Sequence, residues 1–216
     1  LRYVIFANGV LPMGEAAKDL IGPEDVVVAA DGGAHHCQAL GIVPQVVVGD
    51  FDSLAEDDLA ALEADGAQLI HHPPRKDQTD LELALLYAVQ QGADEALVLG
   101  GLGARWDQTL ANLLLAAHRE LRGLKLVFVH GGQRLCPIHG EGMIEGQAGD
   151  TVSLIPIGGD AEGVSTQGLE YPLEDETLHL GSSRGVSNVL LGERAEVRVK
   201  KGLLLCVVLR GQGSGE

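Results

Sequence analysis

VVVAADGGAHHCQALGIVPQVVVGDFDSL, residues 26–54, is the stretch that decides the fold. Two short apolar runs, Val26–Ala30 and Val46–Val48, each lead into a turn of glycine and aspartate: Asp31-Gly32-Gly33 and Gly49-Asp50-Phe51-Asp52-Ser53. Neither run alternates apolar with polar residues, as expected of strands buried on both faces of a parallel sheet. The pattern continues outward in Tyr3–Ala7, Gln68–His71, Ala96–Leu99 and Leu124–Val129. Helical segments separate the runs. Leu54–Asp65 follows Ser53 with Glu56 three positions on, and Asp80–Gln91 follows Thr79 with Glu82 three positions on, so a capping box is expected at both starts. In the second, Leu81, Leu85, Ala88 and Val89 share one face at helical spacing. Gln108–Leu121 is expected as a further helix, with Leu110, Leu113, Leu114 and Ala117 on its packing face and Gly123 ending it. Strand–helix–strand repeated this often predicts a doubly wound α/β domain with a Rossmann-like parallel sheet.

After Gly131 the texture changes. Glycine becomes frequent, helical periodicity vanishes, and strand candidates recur at Thr151–Pro156, Val186–Leu191, Glu196–Lys200 and Leu203–Leu209. Lys200-Lys201-Gly202 reads as a hairpin turn between the last two. The expected organisation is an α/β domain over 1–130 and an all-β domain, a sandwich, over 131–216, with a Gly/Ser tail after Arg210. At 216 residues and 45% apolar the chain can bury a core. A formal net charge of −16 with 3% aromatic residues argues against binding the phosphate backbone of nucleic acid. Cys37, Cys136 and Cys206 form no CxxC pair, which favours a reducing cytoplasm over a disulfide framework or a zinc site. The longest apolar run, Leu203–Leu209, is far short of the ~20 residues that cross a bilayer. No basic-then-apolar export signal opens the chain, so a cytoplasmic protein with no membrane partner is expected.

In an open parallel sheet, ligands bind beyond the carboxyl ends of the strands. Here those ends carry carboxylates repeatedly: Asp31, then Asp50 and Asp52, then Asp77 and Asp80, then Asp107 after the Gly100–Gly103 loop. Asp50 and Asp52 stand two apart, so an extended chain would point both side chains the same way. That pairing suits a hard divalent cation such as Mg²⁺, which also keeps waters and phosphate oxygens in its shell. The plain alternative makes Asp50 a turn residue and Asp52, Asp77 and Asp80 ordinary acids near helix starts. The Gly100–Gly103 loop can present backbone N–H groups to phosphate, with Arg105 beside it for a bidentate grip. It is neither a GxGxxG, since Trp106 occupies the third glycine position, nor a GxxxxGK[ST] loop. Trp106 itself is expected as a buried anchor, or else as a ring beside a bound base. His35-His36 and His71-His72 lack the i, i+4 spacing of a helical metal pair, and Cys37 is expected in the core.

Four segments taken together carry a family resemblance: DGGAHHCQALGIVPQVVVGDFDSL (31–54), KDQTDLELAL (76–85), GGLGARWDQTLANLLLA (100–116) and GVSTQGLEYPLEDETLHLGSSRGVSNVL (163–190). They resemble thiamine pyrophosphokinase of the bacterial type. The resemblance implies a homodimer built from an α/β nucleotide-binding domain and a β-sandwich domain, with sites at the dimer interface. It also implies Mg²⁺-dependent transfer of a pyrophosphoryl group from ATP to thiamine, releasing AMP. By the same resemblance Asp50, Asp52, Asp77 and Asp80 are the metal and catalytic carboxylates. Asp31, Gly32, Gly33, Arg105, Asp107, Gln108 and Asn112 fall in the nucleotide site, and Ser187 and Asn188 contact thiamine. Val189 follows that pair where members often carry an acid, and Gln108 stands where His is common. Rival readings are a pyrophosphokinase for a pterin alcohol, a metal-dependent phosphohydrolase, and a non-catalytic thiamine or nucleotide sensor on the same fold.

Overall fold

The computed structural model describes residues 1–211 and divides into two compact units, Leu1–Gly131 and the residues from Gly132 on. Beyond Gly211, the expected Gly/Ser tail lies outside the described residues.

In the first unit six strands run parallel: β1 (Arg2–Phe6), β2 (Val26–Ala30), β3 (Val46–Gly49), β4 (Gln68–His71), β5 (Glu95–Leu99) and β6 (Lys125–His130). Their order across the sheet is β6-β5-β1-β2-β3-β4. The central strands are buried at consecutive positions, as in Val4, Ile5 and Phe6, whereas the edge strand β4 is half-buried or exposed throughout. The chain leaves β1 toward β2, β3 and β4, then returns to place β5 on the other side of β1. That reversal opens a crevice between the carboxyl ends of β1 and β5.

Four helices accompany these strands: α1 (Ala34–Ala39), α2 (Glu56–Ala64), α3 (Asp80–Gln90) and α4 (Trp106–Leu114). The expected cap on α3 is present, with Thr79 Oγ1 accepting the Glu82 N–H at 3.2 Å. The expected box at α2 is not. Its N-cap is Ala55, and Ser53 Oγ instead donates to Asp52 Oδ1 at 3.1 Å. The helix expected to reach Leu121 ends at Leu114 and continues as two 3₁₀ turns, Leu115–Ala117 and Arg119–Leu121. His118, extended between them, starts the second turn by accepting the Glu120 N–H on Nδ1 at 3.3 Å, a local bond that competes with helix continuation. The face assigned to packing is also corrected. Leu110 and Leu114 are exposed, and Trp106 is 87% exposed rather than a buried anchor. Cys37 does sit in the core, and burial pushes its thiol up to about 12.

Among the described residues the second unit has eight strands, all paired antiparallel: β7 (Gln133–Ile138), β8 (Glu141–Glu145), β9 (Thr151–Pro156), β10 (Ala161–Gln167), β11 (Glu176–Leu178), β12 (Asn188–Val189), β13 (Arg194–Arg198) and β14 (Leu204–Leu209). Four lie in the order β12-β9-β14-β7 and four in the order β11-β10-β13-β8. β13 shows why: Ala195 and Val197 are buried while Arg194, Glu196 and Arg198 face out, the alternation of a sheet covered on one face. Ile144, Val164 and Val197 from one set share a core cluster with Val152, Leu154 and Leu204 from the other. The expected hairpin at Lys200–Gly202 is not one, because β13 pairs with β10 and β8 whereas β14 pairs with β7 and β9. Gly202, with φ +107 and space for a Cβ only 2.6 Å from the Asp160 carbonyl oxygen, lets the chain pass from one sheet to the other. The Val186–Leu191 strand shrinks to two residues, since Ser187 at φ +63 breaks the extended backbone before it. Among the described residues no helix is long and apolar enough to cross a membrane.

Candidate active site

The carboxyl ends of β1, β2, β3 and β5 surround a cavity of about 490 Å³. Asp31 enters it from the end of β2, Asp50 and Asp52 from the end of β3, and Lys76 and Asp80 from the approach to α3. Gly100, Gly101, Arg105, Gln108 and Asn112 line the side of β5 and α4.

Asp31 is 5% exposed, adopts φ +44, and leaves Oδ1 without a hydrogen-bond partner. Gly49 permits this, because a Cβ there would lie 2.9 Å from Asp31 Cβ. The expected extended run through Asp50 and Asp52 is corrected at Phe51, whose φ of +64 turns the chain. The Asp52 N–H donates to Asp50 Oδ1 at 3.4 Å across that turn. Asp50 and Asp52 nevertheless meet, and they meet Asp31 as well: each of the three offers an oxygen within 4.8 Å of the others. A buried carboxylate oxygen with no donor is costly to keep, and three converging carboxylates fit a hard cation with room left for water and phosphate oxygens. The donor set therefore suits Mg²⁺.

Lys76 was missed by sequence reasoning. Its Nζ lies 2.7 Å from Asp50 Oδ2 and 3.0 Å from Asp80 Oδ1. The hydrogen bond from Lys76 holds the Asp50 carboxyl below its ordinary range. Burial raises the Asp80 carboxyl, with Lys76 opposing it. Burial also pulls the Lys76 ammonium down, but its bonds to Asp50 and Asp80 outweigh that and leave it raised. The available signal was a lysine four residues before an aspartate at a helix start. Asp77 is exposed and lies outside the cavity lining.

The glycines have mechanical reasons. A Cβ on Gly33 would lie 2.0 Å from the Phe6 carbonyl oxygen, and one on Gly32 would lie 2.3 Å from Asn8 Nδ2, so the pair lets the start of α1 lie against β1. Gly9 N–H donates to the Gly100 carbonyl at 2.7 Å, and a Cβ on either residue would collide with the facing backbone. Asn112, buried in α4, donates from Nδ2 to the Gly101 carbonyl at 2.7 Å. Thr109 Oγ1 accepts the Gly103 N–H at 3.0 Å and donates to the Arg105 carbonyl at 2.9 Å. The loop is thereby pinned to its helix. Arg105 is exposed and pairs with the equally exposed Asp107, which lies outside the lining.

Ser187 and Asn188 belong to the second unit. Ser187 is exposed, and its N–H donates to Ser153 Oγ at 3.1 Å. Asn188 accepts from the Tyr171 N–H at 3.0 Å and donates to the Tyr171 carbonyl at 2.7 Å, so its amide holds the neighbouring segment as a strand residue would. Among the described residues five non-glycines have left-handed φ, and four of them (Asp31, Phe51, Ala104 and Ser187) fall within or beside candidate site segments. Backbone strain of that kind gathers where side chains must be aimed.

Comparison with known proteins follows the same division. The family model for the thiamin pyrophosphokinase catalytic domain matches residues 17–128, and that for the thiamin pyrophosphokinase vitamin B1 binding domain matches residues 142–204. A thiamine pyrophosphokinase of Bacillus subtilis is 30% identical over 194 residues, covering 88% of this chain and 91% of that protein. Thiamine pyrophosphokinase 1 of Oryza sativa is 27% identical over 179 residues, covering 77% of this chain and 67% of that protein. The crystal structure of thiamine pyrophosphokinase from Bacillus subtilis matches with a TM-score of 0.87 at 26% identity, covering 97% of this chain and 99% of that one.

Proposed function

The chain belongs to the thiamine pyrophosphokinase family, and from that premise we propose how its residues move a pyrophosphoryl group from ATP to thiamine. The first unit is read as a Rossmann-like nucleotide domain (1–130), supported by a parallel sheet whose strand order reverses beside β1. The second is read as a β-sandwich that contacts thiamine (131–216), supported by two antiparallel sets of strands sharing one core. Both matched domains name the vitamin or its kinase, and nothing favours a pterin alcohol, a phosphohydrolase or a sensor.

One observation carries the chemistry: Asp31, Asp50 and Asp52 converge beside the crevice, with an oxygen of Asp31 buried and unpartnered. These three would hold Mg²⁺, and Asp31 thus joins a metal set from which the resemblance had left it out. Mg²⁺, when bound, neutralises the triphosphate and supports in-line displacement. Arg105, released from Asp107, grips phosphate oxygens, and Gln108 and Asn112 shape the loop beneath them. Asp80 takes the proton of the hydroxyethyl group of thiamine as its oxygen bonds to the β-phosphorus. The bridging oxygen then leaves with AMP. Asp77, outside the lining, contributes negative field rather than a ligand. Ser187 and Asn188 contact thiamine from the second unit.

The enzyme is a homodimer, and the Trp106, Leu110 and Leu114 stripe of α4 supplies apolar surface for a second copy to cover. It works in the cytoplasm, in keeping with a sequence whose three cysteines form no CxxC pair. The test is purified protein with ATP, Mg²⁺ and thiamine, read by mass. Wild type should yield AMP and thiamine diphosphate, and Asp50→Asn or Asp52→Asn should lose on the order of 10²–10⁴ in turnover. Near-normal turnover of both variants at limiting Mg²⁺ would overturn the metal assignment.

A further inference from the structure

Lys76 brings a positive charge into the interior of the carboxylate cluster. Its side chain is 10% exposed, that of Asp50 12% and that of Asp80 29%. An ammonium this enclosed is kept only where carboxylates offset its lost hydration. Yet Asp50, its nearer partner at 2.7 Å, also offers an oxygen to the group it forms with Asp31 and Asp52. One carboxylate thus faces two claims, from the lysine on one side and from a divalent cation on the other. Two cations sharing a carboxylate repel each other strongly in a half-buried site.

Resting on the Mg²⁺ reading above, we propose that Lys76 competes with the divalent cation for Asp50 in the substrate-free enzyme and turns its ammonium to the phosphate chain once nucleotide enters. Lys76 lines the same cavity as Arg105 and Asp31, and its flexible four-carbon stem carries three donors that can change acceptor. Before nucleotide binds, the lysine screens Asp50 from Asp80. After it binds, the triphosphate supplies a denser set of acceptors, and Asp50 is freed for the cation. Metal alone is consequently held weakly, and metal with nucleotide is held tightly.

The experiment is titration with Mn²⁺ in the absence of nucleotide, read by electron paramagnetic resonance of free Mn²⁺, on wild type and on Lys76→Met, Lys76→Gln and Lys76→Arg. Lys76→Met and Lys76→Gln should bind Mn²⁺ roughly tenfold more tightly than wild type, whereas Lys76→Arg keeps the charge and should match wild type. Lys76→Gln retains a donor between the two carboxylates, so it serves where Lys76→Met does not fold. In steady state, Lys76→Met and Lys76→Gln should raise KM for ATP and lower kcat, with Lys76→Arg restoring part of both. A lysine that only orders the carboxylates would give the opposite sign, weaker Mn²⁺ binding on its removal. Equal or weaker Mn²⁺ binding by both neutral variants overturns the proposal and leaves the metal reading standing. Unaltered KM for ATP in both overturns the phosphate contact. Mn²⁺ bound by none of the proteins, with or without ATP, overturns the metal reading and the proposal with it.

Discussion

At Asp31 the chain leaves β2 in a left-handed turn and buries a carboxylate whose Oδ1 has no donor. Removing that charge should separate stability from function. Asp31→Asn is expected to raise stability by about 1–2 kcal/mol, since an unpaired buried charge opposes folding, while turnover falls about a hundredfold or more. Thermal unfolding without metal, set beside turnover, is the measurement; a clear fall in Tm would mean that unseen donors hold the carboxylate. The opposite case lies at the far end of the sheet. Arg2 donates from Nε to Asp25 Oδ1 at 2.8 Å, and Gly22 N–H donates to Asp25 Oδ2 at 2.6 Å. The Arg2 bond, more than anything else, holds the Asp25 carboxyl below its ordinary value. A depressed carboxyl contributes stability that is whole above its unfolded-state pKa and is lost as pH falls through the lower folded-state value. Asp25→Asn should therefore cost about 1–3 kcal/mol at neutral pH, and the gap in urea midpoint from wild type should close in acid. A gap that persists there would assign the cost to packing. Asp50 and Asp52 were legible because they end a buried strand. Lys76 was not, since a lysine ahead of a helix reads as a solvated charge until the fold brings Asp50 to it.

Elements were legible where burial on both faces leaves an unbroken apolar run, as in Val26–Ala30, and where a cap uses its own side chain, as at Thr79. They were illegible where neighbours decide. Glu141–Glu145 and Ala161–Gln167 are strands despite glycines and acids, because Ile144, Ala161 and Val164 are buried in the core shared with the other sheet. The pattern through 108–121 could not report that His118 would cap a new turn. Nor could it report that Asn112, which looks like a polar interruption of an apolar face, is the buried side chain tying α4 to the Gly100–Gly103 loop. Asn112→Ala removes the bond to the Gly101 carbonyl. It should raise KM for ATP about tenfold and cost roughly 1–2 kcal/mol in stability, while KM for thiamine stays near wild type. Steady-state kinetics with each substrate varied in turn checks this, and an unmoved KM for ATP would mean that Thr109 alone holds the loop.

On the scale of the whole molecule, the residues proposed to carry the reaction stand in different units: the carboxylates in Leu1–Gly131, and Ser187 and Asn188 after Gly132. The division was legible from the change of texture near residue 131. The proposed dimer is not legible in that way, because no local pattern encodes a partner. A two-fold dimer that faces the Asp cluster of one copy toward Ser187 and Asn188 of the other yields two equivalent shared sites. The apolar stripe on α4 begins at Trp106, beside Arg105 in the cavity wall, so a second copy seated on it would arrive next to the site. Asp50→Asn and Asn188→Ala, each nearly inactive alone, should then complement each other when mixed. At equal mixing with free exchange, half the dimers are mixed and each carries one site with both halves intact, so roughly a quarter of all sites recover by that symmetry. The Asn188 amide is also bonded to the Tyr171 backbone, so Asn188→Ala must first pass a circular dichroism check, and Ser187→Ala serves if it fails. Recovery near a quarter would require that one copy complete the site of the other. A mixture that exchanges subunits yet stays as inactive as its parents would place both halves of each site on one chain.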